Sequence, residues 1–557
     1  MTIRKVLPLM NQSRVFEQLL LQAGIMKKTH LKQLWDANPQ ARADMIIKTD
    51  KFSLDYGFQR VTSLIMDALY QLAREMELEQ HIAARFNGEK INVTEGRAVG
   101  HHALRAPLNE PFMVDGVDQM PLVYGVLEQL ERFSNAIISG QWRGVTGKKI
   151  TKIVGVGIGG SKYGPEDVYL SLSDRAKYGV TAAFVSNVDP EHLTRVFADC
   201  DPETTLFVIE SKTFTTAETV EANAQSARRL MLEKLAGKAS PEEIIKKHFV
   251  AVSTAEKLVK DFGIDPANMF GFWDWVGGRF SVWSAIGGAV LGPTLGFDTF
   301  KEFLAGGRAA DLHYRDSDFE HNVAVTMALI RIWNRVLMDY KSLAVVPYSQ
   351  PLRDTVFYLT QQIEESLGKG VDKLKRPVNF VPTSIVMGDS GSDAQHSFFQ
   401  AEHQIPEAGI VPIELTGFRF PRKGADLPIV GRDLTQHQRL LANLFAQRRA
   451  LAFGETNEKE PHRNFSGNRP TSLLMFDRLS PFTVGLYLAT YENVVDAEGA
   501  IEGINAYDQY GVEKGKKEAT AIEKAIEQAN RVGIGNVDLS GFDLSTQRQI
   551  REIFPKV

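Results

Sequence analysis

Residues 207–219 read FVIESKTFTTAET. Phe207, Val208 and Ile209 form an apolar run of the buried-strand type, and from about Ala217 the pattern turns helical. Glu210, Ser211, Lys212, Thr213, Thr215 and Thr216 crowd the corner between them. In open α/β sheets, ligands bind beyond the carboxyl ends of the strands. A helix start there offers free N–H groups that favour an anion. Serine and threonine also act at such corners as simple N-caps and turn formers, with no ligand at all.

The stretch sits inside an alternation. Residues 153–156, 182–185, 206–209 and 249–252 read as strands, with helical patterns between them, such as 218–235. After an apolar helix at 323–339 the pattern recurs: 343–346, 384–387 and 410–413 read as strands, with helices near 400 and over 435–452. Strand–helix alternation predicts parallel sheets covered by helices. IVGVGIGGS at 153–161 and SIVMGDSGSD at 384–393 both run from a strand into Gly and Ser, a faint echo between the two halves. The first 110 residues read mostly helical, with 62–77 as the clearest case, and the chain returns to helix near 518–529.

A length of 557 residues exceeds what one core supports and predicts two to four domains. Apolar residues make up 43% and charged residues 24%, the balance of an ordinary globular protein. The net charge of −4, with acid and base well mixed, argues against general nucleic-acid binding. A single cysteine, Cys200, leaves no disulfide framework or zinc cluster within the chain and fits a reducing compartment, here expected to be the cytoplasm. The N-terminal stretch lacks the continuous apolar core of a signal peptide. The uncharged run at 280–297 approaches a membrane span in length, but its serines, four glycines and Pro293 predict a buried interior helix and loop. No membrane partner is expected.

Gly155, Gly157 and Gly160 in GVGIGG fit G-x-G-x-x-G at a strand end. A dinucleotide site also needs an acid at the end of the next strand, where Ser186 and Asn187 stand and Asp189 comes late. No Gly-Lys-Ser/Thr closes the segment as a P-loop would. The anion preference of glycine-rich corners remains, and Ser161 adds a hydroxyl. Two such corners, at Gly160–Ser161 and at 211–216, together favour a phosphate.

GVGIGGS at 155–161, ESKTFTTAET at 210–219 and GGRFSVWSAIG at 277–287 resemble the phosphoglucose isomerases. So do FNGEKINVTEGRAV at 86–99, FSGNRPTS at 465–472 and YDQYGVEKGK at 507–516, all in the family's order. The resemblance implies an α/β fold with two sugar-isomerase-type (SIS) three-layer α/β/α domains. The boundaries expected from it are 1–115 for an N-terminal helical region, 116–310 and 311–515 for the two domains, and 516–557 for a helical extension. It also implies a homodimer without cofactor or metal that interconverts glucose 6-phosphate and fructose 6-phosphate.

Aldose–ketose isomerisation needs a base over C1 and C2, a cation beside the enediolate oxygens and an acid–base group to open the ring. The resemblance places the base at Glu365 in QQIEESLGK, with Ser366, Gly368 and Lys369 fixing the register. Glu364, where an apolar residue is usual, leaves a choice between adjacent carboxylates that point about 100° apart on a helix. His396, in GDSGSDAQHSFFQ, is the ring-opening candidate, and the resemblance implies that it reaches the neighbouring subunit's site. Ser392-Asp393 replace the family's usual Thr-Asn there, and Tyr510 stands where Trp is common. Lys516 would contact the ring oxygen or O1 region, and Arg279 would stabilise the enediolate. Gly160, Ser161, Ser211, Lys212, Thr213 and Thr216 would anchor the phosphate, with Gln361 and Gln509 holding hydroxyls or phosphate.

Three other readings compete. A non-catalytic phosphosugar sensor would keep the hydroxyl cradle and lose the base. A nicotinamide-dependent oxidoreductase lacks its ribose-binding acid. A glutamine-dependent aminating isomerase needs an N-terminal cysteine, and Cys200 is far from that end.

Overall fold

The computed structural model describes residues 7–554. Residues 1–6 and 555–557, the outer ends of the regions expected at 1–115 and 516–557, lie outside the described residues. The chain divides into two compact units, Met1–Tyr507 and Asp508–Val557, so the two large sheets and the small hairpin of Met113–Val114 and Val117–Asp118 all belong to the first.

One sheet has five parallel strands in the order Thr181–Val185, Lys152–Val156, Thr205–Glu210, Phe249–Val252 and Met269–Phe270. Four of them are the expected strands, with ends moved by at most a residue. The fifth is a two-residue edge too short for a periodic signal. The side chains of Thr205–Glu210 alternate between two cores. Phe207 and Ile209 pack with Phe197, Met231 and Phe262, while Leu206 and Val208 join the core that holds Val290 and Leu291. Both faces of these strands are therefore covered, which explains why they read as continuous apolar runs.

The other sheet has six strands, and its parallel part runs Thr471–Phe476, Ile413–Phe418, Ser342–Pro347, Ile385–Gly388. The strand expected at 410–413 begins at Ile413. Ile46–Lys48 and Phe52–Phe58 extend the sheet antiparallel on the Thr471–Phe476 side. The N-terminal region is thus not wholly helical, and it supplies two strands to a distant sheet. No strand–helix alternation marks them, because their partner is more than 400 residues away in sequence.

The uncharged run at 280–297 forms a 3₁₀ turn, Gly278–Trp283, and a helix, Ala285–Leu295, buried at every residue. Among the described residues no helix is long and apolar enough to cross a membrane. The helix Pro481–Ile501 is also almost wholly buried, yet it carries Glu492, Asp496 and Glu498. Each is matched by a buried arginine: Arg105 to Glu492, Arg85 to Asp496, and Arg331 and Arg335 to Glu498. Buried charges persist only when paired in this way.

The second unit contains a helix, Glu513–Val532, followed by a shorter one, Leu544–Glu552. They close a small core of Ala525, Ala529, Val537, Leu539 and Ile550.

Candidate active site

The site is built at the carboxyl ends of the five-stranded sheet. Strand Lys152–Val156 leads into helix Gly160–Ser171 through Gly159, whose φ of 61° lies in the left-handed region that favours glycine. Gly160 is needed for a different reason. A Cβ there would fall 2.0 Å from the carbonyl oxygen of Gly278, so the helix start lies directly against the Gly278–Trp283 turn that carries Arg279.

Strand Thr205–Glu210 ends in the hydroxyl corner. Ser211 Oγ lies 3.0 Å from Thr216 Oγ1, and Thr213 Oγ1 lies 2.7 Å from Thr215 Oγ1. Between them Phe214 adopts φ 53°, an uncommon conformation for a bulky residue. Its buried ring, edge-on to Phe262 at 5.8 Å, holds the loop in that shape. The loop then enters a π-helical segment, Ala217–Ala224. Lys212 turns its ammonium onto the carbonyl oxygens of Asp274 and Val276, at 3.2 and 3.5 Å. Burial lowers its pKa, and the nearby Arg97 adds to the effect.

Arg279 is 1% exposed. Its Nε donates to Ser366 Oγ at 2.5 Å, its Nη2 to the carbonyl of Ala506 at 2.6 Å, and its Nη1 lies 3.3 Å from Glu365 Oε1. The hydroxyl of Tyr358 donates to the Arg279 carbonyl at 2.9 Å. Glu365 closes a π-helical turn, Gln361–Glu365, that continues helix Thr355–Thr360. Such turns recur at functional sites because they re-aim one side chain without ending the helix. Gln361 Nε2 donates to Glu365 Oε2 at 2.8 Å. A Cβ on Gly159 would lie 3.0 Å from that same amide nitrogen. Gln361 therefore stands between the glycine corner and the carboxylate. Glu365 retains 19% side-chain exposure, which leaves it a face open to a ligand.

The two adjacent carboxylates are engaged differently. Glu364 Oε1 accepts the backbone N–H of Val386 at 2.8 Å and so ties its helix to strand Ile385–Gly388. Only Glu365 faces Arg279.

The structure thus gathers Gly160, Arg279, Gln361 and Glu365 around one strand-end corner, with Ser161 in the first turn of the helix. Ser211, Lys212, Thr213 and Thr216 lie at the end of the next strand. His396 ends the short helix Gly391–Gln395 and is exposed, and among the described residues no hydrogen bond joins its ring to Glu365, Arg279 or Gln361. Gln509 and Lys516 belong to the second unit, with Lys516 exposed in the first turn of helix Glu513–Val532.

Three features escaped the sequence reading. Ser366 holds Arg279, although the sequence used it only to set a register. Tyr358 braces the Arg279 backbone from seven residues before Glu365, on the same helical run. Glu210, within the quoted stretch, is 2% exposed with both carboxyl oxygens unpartnered, and burial alone pushes its pKa well above the usual range. An acid at the end of an apolar strand was its only visible signal.

Comparison with known proteins points the same way. Residues 55–550 match the family model described as phosphoglucose isomerase. A glucose-6-phosphate isomerase from Deinococcus radiodurans is 44% identical over 508 residues, 89% of this chain and 91% of that protein. One from Mycobacterium leprae is 40% identical over 532 residues, 94% of each chain. The crystal structure of a glucose-6-phosphate isomerase from Chlamydia trachomatis superimposes with a TM-score of 0.84 at 30% identity, covering 98% of this chain and 99% of that one.

Proposed function

The chain belongs to the phosphoglucose isomerase family, and we propose that Glu365 and Arg279 carry out the central step of its reaction. That reaction is the interconversion of glucose 6-phosphate and fructose 6-phosphate, a step of glycolysis and gluconeogenesis. In the direction of fructose 6-phosphate, Glu365 takes the proton from C2 of the opened sugar and returns it to C1. The Arg279 guanidinium, fixed by Ser366 and the Ala506 carbonyl, stands beside the carboxylate and faces the charge that develops on the enediolate oxygens. A cation placed before the reaction begins needs no reorganisation as charge appears.

Gly160, Ser161, Ser211, Lys212, Thr213 and Thr216 anchor the phosphate through hydroxyls, an ammonium and a helix start. Anchoring at that end holds C1 and C2 over Glu365. Gln361 keeps Glu365 oriented and presents its amide to the substrate. His396 opens the ring, and its exposed position fits a residue delivered to the site of a second copy in a homodimer. Lys516 and Gln509, of the second unit, are assigned to the sugar by the family resemblance alone. The setting is cytoplasmic, in keeping with one half-buried thiol and no disulfide.

The observation that carries this reading is the buried Arg279 guanidinium held against Glu365. A coupled assay tests it: fructose 6-phosphate is supplied to wild type and to Glu365→Gln, with glucose-6-phosphate dehydrogenase and NADP as the readout. Rapid NADPH formation by wild type and none by the variant is the expected result. Fructose 6-phosphate binding without turnover in wild type would restore the sensor reading.

A further inference from the structure

Glu210 ends the strand that feeds the phosphate loop and precedes Ser211 directly. By alternation along the strand it shares a face with Leu206 and Val208. On that face it lies beneath the glycine corner. A Cβ on Gly157 would meet Glu210 Cβ at 3.2 Å and Ser161 Cβ at 2.8 Å. The Glu210 Cβ therefore lies against the glycine corner, and the residue adjoins Ser211 along the chain. Among the described residues, neither of its carboxyl oxygens has a hydrogen-bond partner.

The surrounding elements offer it no counter-charge. The flanking strands Lys152–Val156 and Phe249–Val252 carry one ionisable residue, Lys152, which is at the far end and donates to the Asp199 carbonyl. Helix Ala285–Leu295 carries none. On helix Gly160–Ser171, Lys162 and Glu166 pair with each other and Asp167 accepts from Thr355. On the Gly278–Trp283 turn, Arg279 is committed to Ser366, Ala506 and Glu365. Lys212 is turned onto Asp274 and Val276. Glu218 and Glu221, on the segment Ala217–Ala224, are like charges. The ionisable residues of helix Pro241–His248 meet the opposite end of the strand, where His248 bonds the Thr205 carbonyl.

We propose that Glu210 is a proton-carrying residue of the phosphate site, neutral when a phosphate dianion occupies the adjoining loops and weakening that dianion's binding when it ionises. The inference rests on the sugar-phosphate reading of the site. An unpaired carboxylate one residue from Ser211 would repel the dianion at short range, with little water between them to screen it. Linkage makes the effect reciprocal: a bound dianion makes Glu210 hold its proton more firmly. Burial already disfavours the charged form and raises the pKa well above the usual carboxylate value, so ionisation is displaced towards higher pH.

The test measures fructose 6-phosphate binding by calorimetry in Glu365→Gln, which binds without turnover, and in Glu365→Gln/Glu210→Gln, between pH 6.5 and 9.5. Affinity is expected to fall with rising pH in the first protein, by at most about tenfold for each pH unit over which one proton is lost, and to fall about twofold or less in the second. An equal fall in both overturns the proposal and assigns the loss to another group, such as Lys212. No binding at any pH in the first protein overturns the sugar-phosphate reading, and the proposal with it. Thermal unfolding gives an independent check, because Glu210→Gln should gain stability over wild type at pH 8 relative to pH 5. A constant difference would count against a proton held at Glu210.

Discussion

Arg279 Nη1 lies 3.3 Å from Glu365 Oε1, and the same guanidinium is fixed through Nε to Ser366, the residue after that glutamate. Cation and carboxylate are thus set by one turn of helix. Glu364, the residue before, is engaged elsewhere, on the Val386 N–H. Glu365→Gln should therefore lower kcat by at least the 10²–10⁴-fold typical of a positioned general base, with the fold unchanged by circular dichroism. Glu364→Gln should keep most of the activity and lose about 1 kcal/mol of stability, because an amide oxygen accepts the Val386 N–H less strongly than a carboxylate. Isomerase assays and denaturant unfolding on both variants check this. The reverse ranking of activities would move the base to Glu364.

The acceptors that Arg279 reaches include a hydroxyl, a carbonyl and a carboxylate. A lysine keeps the charge but cannot reproduce that fork. Arg279→Lys should therefore lower kcat by about 10²–10³-fold, the usual loss for one preorganised donor at a developing oxyanion. KM for fructose 6-phosphate should change much less, since the phosphate anchors are untouched. A rise in KM with kcat preserved would make Arg279 a ground-state binding residue.

Asp167 joins helix Gly160–Ser171 to helix Thr355–Thr360, accepting from Thr355 Oγ1 at 2.6 Å while its other oxygen is unpartnered among the described residues. Burial raises its pKa from 3.8 to about 8. An acid whose folded pKa is raised contributes stability that is fully present below the unfolded value and is lost as pH rises towards the folded one. Wild type should thus lose stability between pH 5 and 8, by as much as about 4 kcal/mol from this group at 1.36 kcal/mol per unit. Asp167→Asn, which still accepts from Thr355, should show a shallower loss. Denaturant midpoints at the two pH values measure the difference, and parallel slopes would mean that Asp167 is ionised throughout.

The parts of this molecule that were legible in its sequence are those fixed by local chemistry. Buried parallel strands read as apolar runs because both of their faces are covered, as at Phe207–Ile209. Gly160 and Ser211 were legible because a strand-to-helix corner constrains residue type. Strands Ile46–Lys48 and Phe52–Phe58 were not, because their partner Thr471–Phe476 is remote and their pattern is not set by neighbours along the chain. Among the site residues, the resemblance placed the base at Glu365 with a second carboxylate, Glu364, beside it. The partner that engages Glu364 was not legible, because strand Ile385–Gly388 lies some 20 residues on. Glu492, Asp496 and Glu498 show the same limit, since helix Pro481–Ile501 buries acids whose arginines come from three other segments of the chain.

His396 is exposed and its ring makes no hydrogen bond among the described residues, whereas Glu365 is partly buried beside Arg279. If His396 serves the site of a second copy, two dead enzymes should complement each other. Glu365→Gln and His396→Ala homodimers are each expected to be inactive or nearly so. In a hybrid dimer, one site receives Glu365 from the His396→Ala chain and His396 from the Glu365→Gln chain, and is intact. Its other site carries both defects. Random exchange makes half of the dimers hybrid, so a mixed, refolded sample should recover about a quarter of wild-type activity, as follows from a two-fold symmetric interface. If His396 acted within its own chain, every site in the mixture would carry one defect, and no activity would return. Activity measured before and after subunit exchange, at equal total protein, separates the two arrangements.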